Sequence, residues 1–360
     1  MTLQRRGINP SLRKSVRLMA LCVQSSCVVS PIDQLGRGLR DLRISVTDRC
    51  NFRCRYCMPI ESFGADHEFL PREELLSFEE LTRLTRLLAP LGIRKVRLTG
   101  GEPLMRRGLE DLVAMLASID GIDDLAMTTN GVLLAHHAEA LALAGLSRVT
   151  VSLDALEPAI FSHMNGVGAK VERVIAGIEA AMNFGLPVKV NAVIQRGVNE
   201  SQILPLARWA KERAIDLRYI EYMDVGETNG WKLNEVVSAD DIINTLASEF
   251  SLRPRDPAYR GEVAIHWVHA DGSAEIGVIS SVTKPFCRDC QRLRISADGK
   301  WFTCLFASEG HDLRGLLRSG MDDSAITANI ASLWSIRDDR YSEERGIVHH
   351  PKAEMSYLGG

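Results

Sequence analysis

The chain has 360 residues, 46% hydrophobic and 25% charged, a globular composition that excludes a disordered chain. At about 150 residues per domain it makes two domains, or one large barrel with an appendage. Its 43 Lys and Arg against 46 Asp and Glu leave −3, which argues for no nucleic-acid or membrane partner, and no run nears the ~20 apolar residues of a membrane span.

Residues 1–32 carry Arg5, Arg6, Arg13, Lys14 and Arg17, with no acid before Asp33. A disordered extension over 1–35 is predicted, one that a start assigned too far upstream of Met19 would produce; an organelle transit peptide is the other reading. The expected location is cytoplasmic, or the mitochondrial matrix if the segment is a transit peptide. Cys22 and Cys27 fall here and receive no role.

From residue 42 short β-branched runs recur at 42–46, 95–99, 125–129, 149–153, 188–194 and 217–222. Helical patterns lie between them. Ser77 with Glu80 reads as a capping box opening a helix toward Gly92. Patterns over 133–144 and 170–184 stop at Gly145 and Gly185, which read as C-caps. Ser201 is predicted to cap a helix reaching 214, with Pro205 in its first turn. This alternation predicts a parallel α/β sheet over 36–225, open or rolled into a barrel. Beyond 225 the rhythm stops. Runs at 262–268 and 274–279 read as two strands around Asp271-Gly272. The rest of 226–360 is predicted to be a metal-bearing C-terminal region.

Strands buried on both faces should be apolar throughout, yet Arg43, Lys95, Arg97, Lys189 and Arg218 lie inside the runs. Residues i and i+2 of a strand share a face, so Lys95, Arg97 and Thr99 point together, as do Lys189 and Asn191. An unpaired buried cation costs several kcal/mol. Some of these side chains could reach solvent at strand ends; as a set they suggest a polyanion in the sheet's concavity. Polar residues also follow the strand runs, at Thr47-Asp48, Gly100-Gly101-Glu102, Thr128-Thr129-Asn130, Ser152-Leu153-Asp154 and Glu221-Tyr222-Met223. Parallel sheets bind ligands at these carboxyl ends. Gly100-Gly101 leaves room for close backbone approach to a ligand.

Six of the eight cysteines form two odd groups, a pattern of metal sites rather than disulfides. Cys50, Cys54 and Cys57 are spaced C-x3-C-x2-C directly after the first strand run. Cys287, Cys290 and Cys304 are spaced C-x2-C-x13-C. Three thiolates on a 4Fe–4S cluster leave one iron open. Zinc completed by a distant histidine is the alternative, although no histidine stands at zinc-finger spacing.

The first triplet, with Tyr56 before its last cysteine and Gly100-Gly101-Glu102-Pro103 later, resembles the radical S-adenosylmethionine superfamily. That resemblance implies a partial (β/α)6 TIM-like barrel. With the second triplet, and with Val96–Leu104, Thr128–Gly131, Val151–Asp154 and Met223–Gly226, the chain resembles the molybdenum cofactor biosynthesis protein A family, the GTP 3′,8-cyclases, from about Leu39 to Gly360. Gln291 departs from an asparagine common in that family and leaves both flanking motifs intact.

The resemblance implies two 4Fe–4S clusters, on Cys50, Cys54 and Cys57 and on Cys287, Cys290 and Cys304. Tyr56, Gly101, Ser152 and Met223 would line S-adenosylmethionine. Arg43, Arg97, Thr128, Lys189, Arg292, Leu293 and Arg294 would bind GTP, with the open iron of the second cluster at the guanine. An adenosyl radical would take the 3′ hydrogen of GTP, and attack on C8 would give the cyclised nucleotide, an early step of molybdenum cofactor biosynthesis. No side chain is singled out as catalytic; the Gly359-Gly360 tail is expected to enter the active site. A flavodoxin or ferredoxin electron donor, a downstream cyclic pyranopterin monophosphate synthase and a homodimer are the implied partners. A peptide-modifying radical enzyme and a non-catalytic cluster-binding module are the competing readings.

Overall fold

Six parallel strands form the centre of a single twelve-stranded sheet, as given by a computed structural model that describes residues 30–346 and 351–359. They are β1 (Asp41–Ser45), β2 (Lys95–Thr99), β3 (Asp124–Thr129), β4 (Arg148–Ser152), β5 (Val188–Ile194) and β6 (Asp216–Glu221). Each lies within a residue of its sequence expectation. The later chain adds β7 (Leu252–Arg255), β8 (Ile265–His269), β9 (Glu275–Ile279), β10 (Arg292–Ile295), β11 (Lys300–Phe302) and β12 (His311–Asp312).

The strand order is β12-β11-β10-β1-β2-β3-β4-β5-β6-β9-β8-β7. The six central strands stand in chain order, each joined to the next through a helical crossover. β10 joins parallel to β1 and β9 parallel to β6. Each then carries two antiparallel strands outward. The chain beyond 225 thus extends both edges of the sheet. The end strands β12 and β7 do not pair among the described residues, so the sheet curves around a concavity without closing.

Strand parity builds the two faces. Leu42 and Ile44, Val96 and Leu98, Val149 and Val151, and Leu217 and Tyr219 are buried in the hydrophobic core. Helices cover this face. The helix Phe78–Leu88 starts at Ser77, whose hydroxyl accepts from the Glu80 amide while the Glu80 carboxylate accepts from the Ser77 amide, the expected capping box. It buries Leu81, Leu84 and Leu88 against the strands. Gly145 (φ +95°) and Gly185 (φ +76°) follow the helices Leu134–Leu143 and Val171–Asn183, as expected.

Ser201 is not a cap. Glu200–Gln202 makes one 3₁₀ turn, and the α-helix runs Ile203–Glu212 with Pro205 in its first turn. The Gln202 side chain accepts from the Leu156 and Glu157 amides instead, at 3.0 and 3.1 Å. That tertiary bond fixes the entry to the helix one residue later.

The expected extension over 1–35 meets the described structure only at 30–35. There Asp33 is buried and Ile32 bridges to Gly38. Cys22, Cys27 and Gly360 lie outside the described residues. Among the described residues no helix is long and apolar enough to cross a membrane.

The Gly100-Gly101 pair does admit a close backbone, and that backbone is the chain's own. The Gly101 and Glu102 amides donate to the carbonyls of Thr47 and Arg49, each at 2.8 Å. A Cβ on Gly101 would collide with the Arg49 carbonyl. The segment leading to Cys50 is therefore held against the end of β2. Gly101→Ala is expected to destabilise the fold by about 1–3 kcal/mol through overpacking. A lowered urea midpoint at unchanged slope would register it.

Candidate active site

The polar face of the sheet carries charge in rows. Arg294, Arg43 and Arg97 are direct cross-strand neighbours on β10, β1 and β2. Two residues earlier, the same strands place Arg292, Asp41 and Lys95 side by side, with Asp124 of β3 next. The earlier row alternates in sign and compensates itself. Asp124 binds Arg148 at 2.8 Å and lies 3.8 Å from Lys95.

The arginine row has no such relief. Among the described residues Arg97 is satisfied only by neutral hydroxyls, at 2.9 Å from Thr128 and 3.0 Å from Thr150. Burial and the neighbouring arginines hold Arg97 and Arg294 well below the usual guanidinium range. Arg43 is pushed down to about 10 by burial and by Arg292. Arg218 of β6 faces the same cavity, and its buried Nε has no partner among the described residues. Like charges in adjacent strands destabilise a sheet. This concavity therefore suits an anion with several charges.

Both cysteine triplets open onto the same cavity. Cys50, Cys54 and Cys57 lie in the loop after β1. The Cys57 and Met58 amides donate to the Cys54 carbonyl at 2.9 and 2.8 Å, making a tight turn. Arg53 fastens the loop, donating to the carbonyls of Cys50 at 2.8 Å and Phe63 at 2.6 Å. Burial pushes the Cys50 thiol up to about 12 and raises Cys54 and Cys57 as well. Filling this site with metal must therefore release protons.

Tyr56 reaches over to β4, donating to Asp154 Oδ2 at 2.8 Å. Asp154 is raised to about 6 by burial and accepts from the Val193 amide at 2.9 Å. Glu102, raised to about 7 by burial, accepts from Thr129 Oγ1 and the Asn130 amide, both at 2.7 Å. Asn130 in turn bonds Asn51 at 2.7 Å. The ends of β2, β3 and β4 thus fix the first cysteine loop. Gly101, Ser152 and Met223 line the same space.

Cys287, Cys290 and Cys304 flank β10 and β11 on the other side of the cavity. Arg292 Nε stands 3.4 Å from Cys290 Sγ. Although burial opposes it, Arg292 and Arg337 hold the Cys290 thiol below its usual range. Cys304 is raised to about 12 by burial.

All six cysteines are free thiols. No group of three or more His, Cys, Asp or Glu among the described residues is placed to hold a metal ion at close quarters. Zinc needs four ligands near 2.0–2.3 Å, and neither triplet gathers a fourth among the described residues. Three separated thiols facing a shared cavity fit a polynuclear iron–sulfur group.

The chain's tail enters from the side. The helix Met355–Leu358 buries Ser356 and Leu358. Tyr357 donates to Asp298 at 2.7 Å, and Glu354 accepts from the Glu227 amide at 3.0 Å. Gly359 (φ +73°) lies where a Cβ would strike the Thr99 hydroxyl, and its carbonyl accepts from Arg294.

Of the residues singled out from sequence, Arg43, Arg97, Thr128, Arg292 and Arg294 line the cavity with the cysteines. Lys189 does not: it pairs with Asp216 on the next strand at 2.8 Å. Leu293 is fully buried in the core, on the opposite face from its two arginine neighbours. Sequence reasoning missed Asn130, Asp154 and Glu102 as individual site residues, although each sits in a strand-end motif it marked. It gave no role to Arg37 or Arg337, which carry no local signal.

Residues 44–210 match the Radical SAM superfamily, and residues 215–343 match Molybdenum Cofactor Synthesis C. The chain is 52% identical over 356 residues to a GTP 3′,8-cyclase of Acidothermus cellulolyticus, covering 91% of this chain and 98% of that one. It is 49% identical over 334 residues to a GTP 3′,8-cyclase of Staphylococcus epidermidis, with the same coverage. Among solved structures, Streptococcus suis SuiB bound to S-adenosylmethionine aligns with a TM-score of 0.59 at 16% identity, covering 96% of this chain and 75% of that one. SuiB bound to precursor peptide SuiA aligns at 0.61, covering 96% and 74%. At this identity the likeness is one of fold.

Lys95 supplies a pH test of the cavity. Burial lowers it to about 8. A bound anion favours the charged form, so binding above that pH takes up a proton. Affinity for inorganic triphosphate should fall as pH rises through about 8, by up to about tenfold per unit. Lys95→Gln should flatten the slope, as read by calorimetric titration across pH 7–9.5.

Proposed function

The chain belongs to the GTP 3′,8-cyclase family of radical S-adenosylmethionine enzymes, and we propose from this premise that its cavity holds the nucleotide between two iron–sulfur clusters, one at each cysteine triplet. The enzyme cyclises GTP in molybdenum cofactor biosynthesis. The observation that carries the substrate reading is the uncompensated row Arg294, Arg43 and Arg97 in a cavity lined by both triplets.

Each residue then has a task. Arg43, Arg97, Arg292, Arg294 and Arg218 bind the triphosphate, whose charge relieves their mutual repulsion. Thr128 holds Arg97 in the row. Lys189, paired with Asp216, acts on the nucleotide only through the field of that pair. Tyr56, Gly101, Ser152 and Met223 position S-adenosylmethionine beside the first triplet. Asp154 orients Tyr56, and Glu102 keeps the β2 and β3 ends together. The first cluster would supply the electron that cleaves S-adenosylmethionine. The curved sheet excludes water from the reacting atoms. A peptide substrate would leave the arginine row without a counter-charge.

The electron would come from a soluble carrier such as a flavodoxin or ferredoxin, and the product would pass to a cyclic pyranopterin monophosphate synthase. A cytoplasmic homodimer completes this reading.

Reconstituted anaerobically, the protein should bind about eight irons, four per cluster. Cys54→Ala should abolish reductive cleavage of S-adenosylmethionine. Cys290→Ala should retain some uncoupled cleavage to 5′-deoxyadenosine without cyclised product. Zinc at either triplet after anaerobic purification, with iron absent, would overturn the reading.

The Gly359-Gly360 tail is assigned a part in triggering the radical reaction. A side chain at 359 would strike Thr99, so only glycine threads that gap. Deleting both glycines should spare iron content and GTP affinity and remove most cyclisation. Wild-type turnover in the truncated enzyme would return the tail to a merely packed terminus.

A further inference from the structure

Two buried arginines grip the second cysteine loop from outside its own motif. Arg37 is fully buried. Its Nη1 donates to the carbonyl of Cys287 at 2.8 Å and to that of Asp339 at 2.9 Å. Its Nε binds Asp33 Oδ2 at 2.5 Å. Arg337, also buried, donates from Nη1 to the carbonyl of Cys290 at 2.8 Å. Its Nε and Nη2 meet the Asp339 carboxylate at 3.0 and 2.9 Å, and it stacks on Trp334 at 4.7 Å.

The two acids are shared. Asp33 lies 3.6 Å from Arg337, and Asp339 lies 3.8 Å from Arg37. Two arginines and two aspartates thus close a square, buried at three corners with Asp339 half-buried, and each arginine holds the backbone of one cysteine. Asp33 is itself locked by the Leu35 and Arg37 amides, at 2.9 and 2.8 Å. Trp334 ties the far corner, donating to the Arg37 carbonyl at 3.0 Å.

One donor is left over. Arg37 Nη2 is buried and has no hydrogen-bond partner among the described residues. Arg37 lines the cavity together with Cys287, Cys290 and Cys304. A buried guanidinium N–H without an acceptor is costly. The group that would fill this part of the cavity, on the reading that the second triplet holds a cluster, is anionic and rich in sulfur acceptors.

We propose that Arg37 and Arg337 are positioning residues for the second cluster, and that the free Nη2 of Arg37 donates a hydrogen bond to one of that cluster's sulfurs. Planarity matters here. The guanidinium serves Asp33, the two carbonyls and the sulfur with fixed, divergent N–H groups, which an ammonium cannot reproduce. Hydrogen bonds to cluster sulfur raise the reduction potential, and loss of such an outer partner weakens metal binding about 10–100-fold.

The test compares wild type, Arg37→Lys and Arg37→Met as anaerobically reconstituted holoenzymes. Electron paramagnetic resonance follows the GTP-responsive and the S-adenosylmethionine-responsive cluster during a redox titration and during chelator challenge. In Arg37→Met the GTP-responsive cluster should lose iron about 10–100-fold faster and titrate at a lower potential, with the other cluster unchanged. Arg37→Lys keeps the buried charge, so it folds if Met does not; it should show the same lowered potential with slower iron loss. An unchanged potential in both variants, or equal acceleration at both clusters, would overturn the proposal. A wild-type enzyme that binds only about four irons fails the two-cluster reading instead, before any variant is compared.

Discussion

Repulsion among Arg294, Arg43 and Arg97 is the interaction around which this molecule is arranged. Three guanidinium groups stand in adjacent strands on one face. Each uncompensated buried cation costs several kcal/mol. The other face of the same strands contributes Leu42, Ile44, Val96, Leu98, Leu293 and Ile295 to the core. Apolar burial there, of the order of 1.5–3 kcal/mol per side chain, offsets the strain. The row two residues earlier shows the alternative: Arg292, Asp41, Lys95 and Asp124 alternate, and no ligand is needed.

The C-terminal part of the chain serves the same end. It sends β9 to one flank of the central strands and β10 to the other. β10 brings Arg294 to the arginine row and Arg292 to the alternating one, and sets Cys287 and Cys290 just ahead of them. The edges beyond are blunted. β12 has two residues, and β7 carries Pro254, features that discourage further strand pairing.

The six central strands were legible because β-branched runs and glycine stops are local signals. The cysteine spacings and strand cations were legible for the same reason. What the sequence could not display was partnership. Lys189 looked like Arg97 in its run, yet Asp216 on the neighbouring strand neutralises it. Ser201 had the chemistry of a cap, but Gln202 took the position through a bond to residues over forty places away. Gly100-Gly101 signalled close approach without naming Thr47 and Arg49 as what approaches. Arg37 sits 250 residues from the cysteine it holds, a pairing that only the sheet order creates.

Strand parity gives the arginine row a second role, in folding. Sliding β1 by one residue would turn Arg43 toward the helices and leave Leu42 or Ile44 facing the cavity. The same slip in β2 or β10 would drive Arg97 or Arg294 into the apolar layer. Misregistered forms of these strands therefore suffer twice, by exposing leucine and by burying charge. The residues we propose for the nucleotide also proofread the pairing of the strands that carry them.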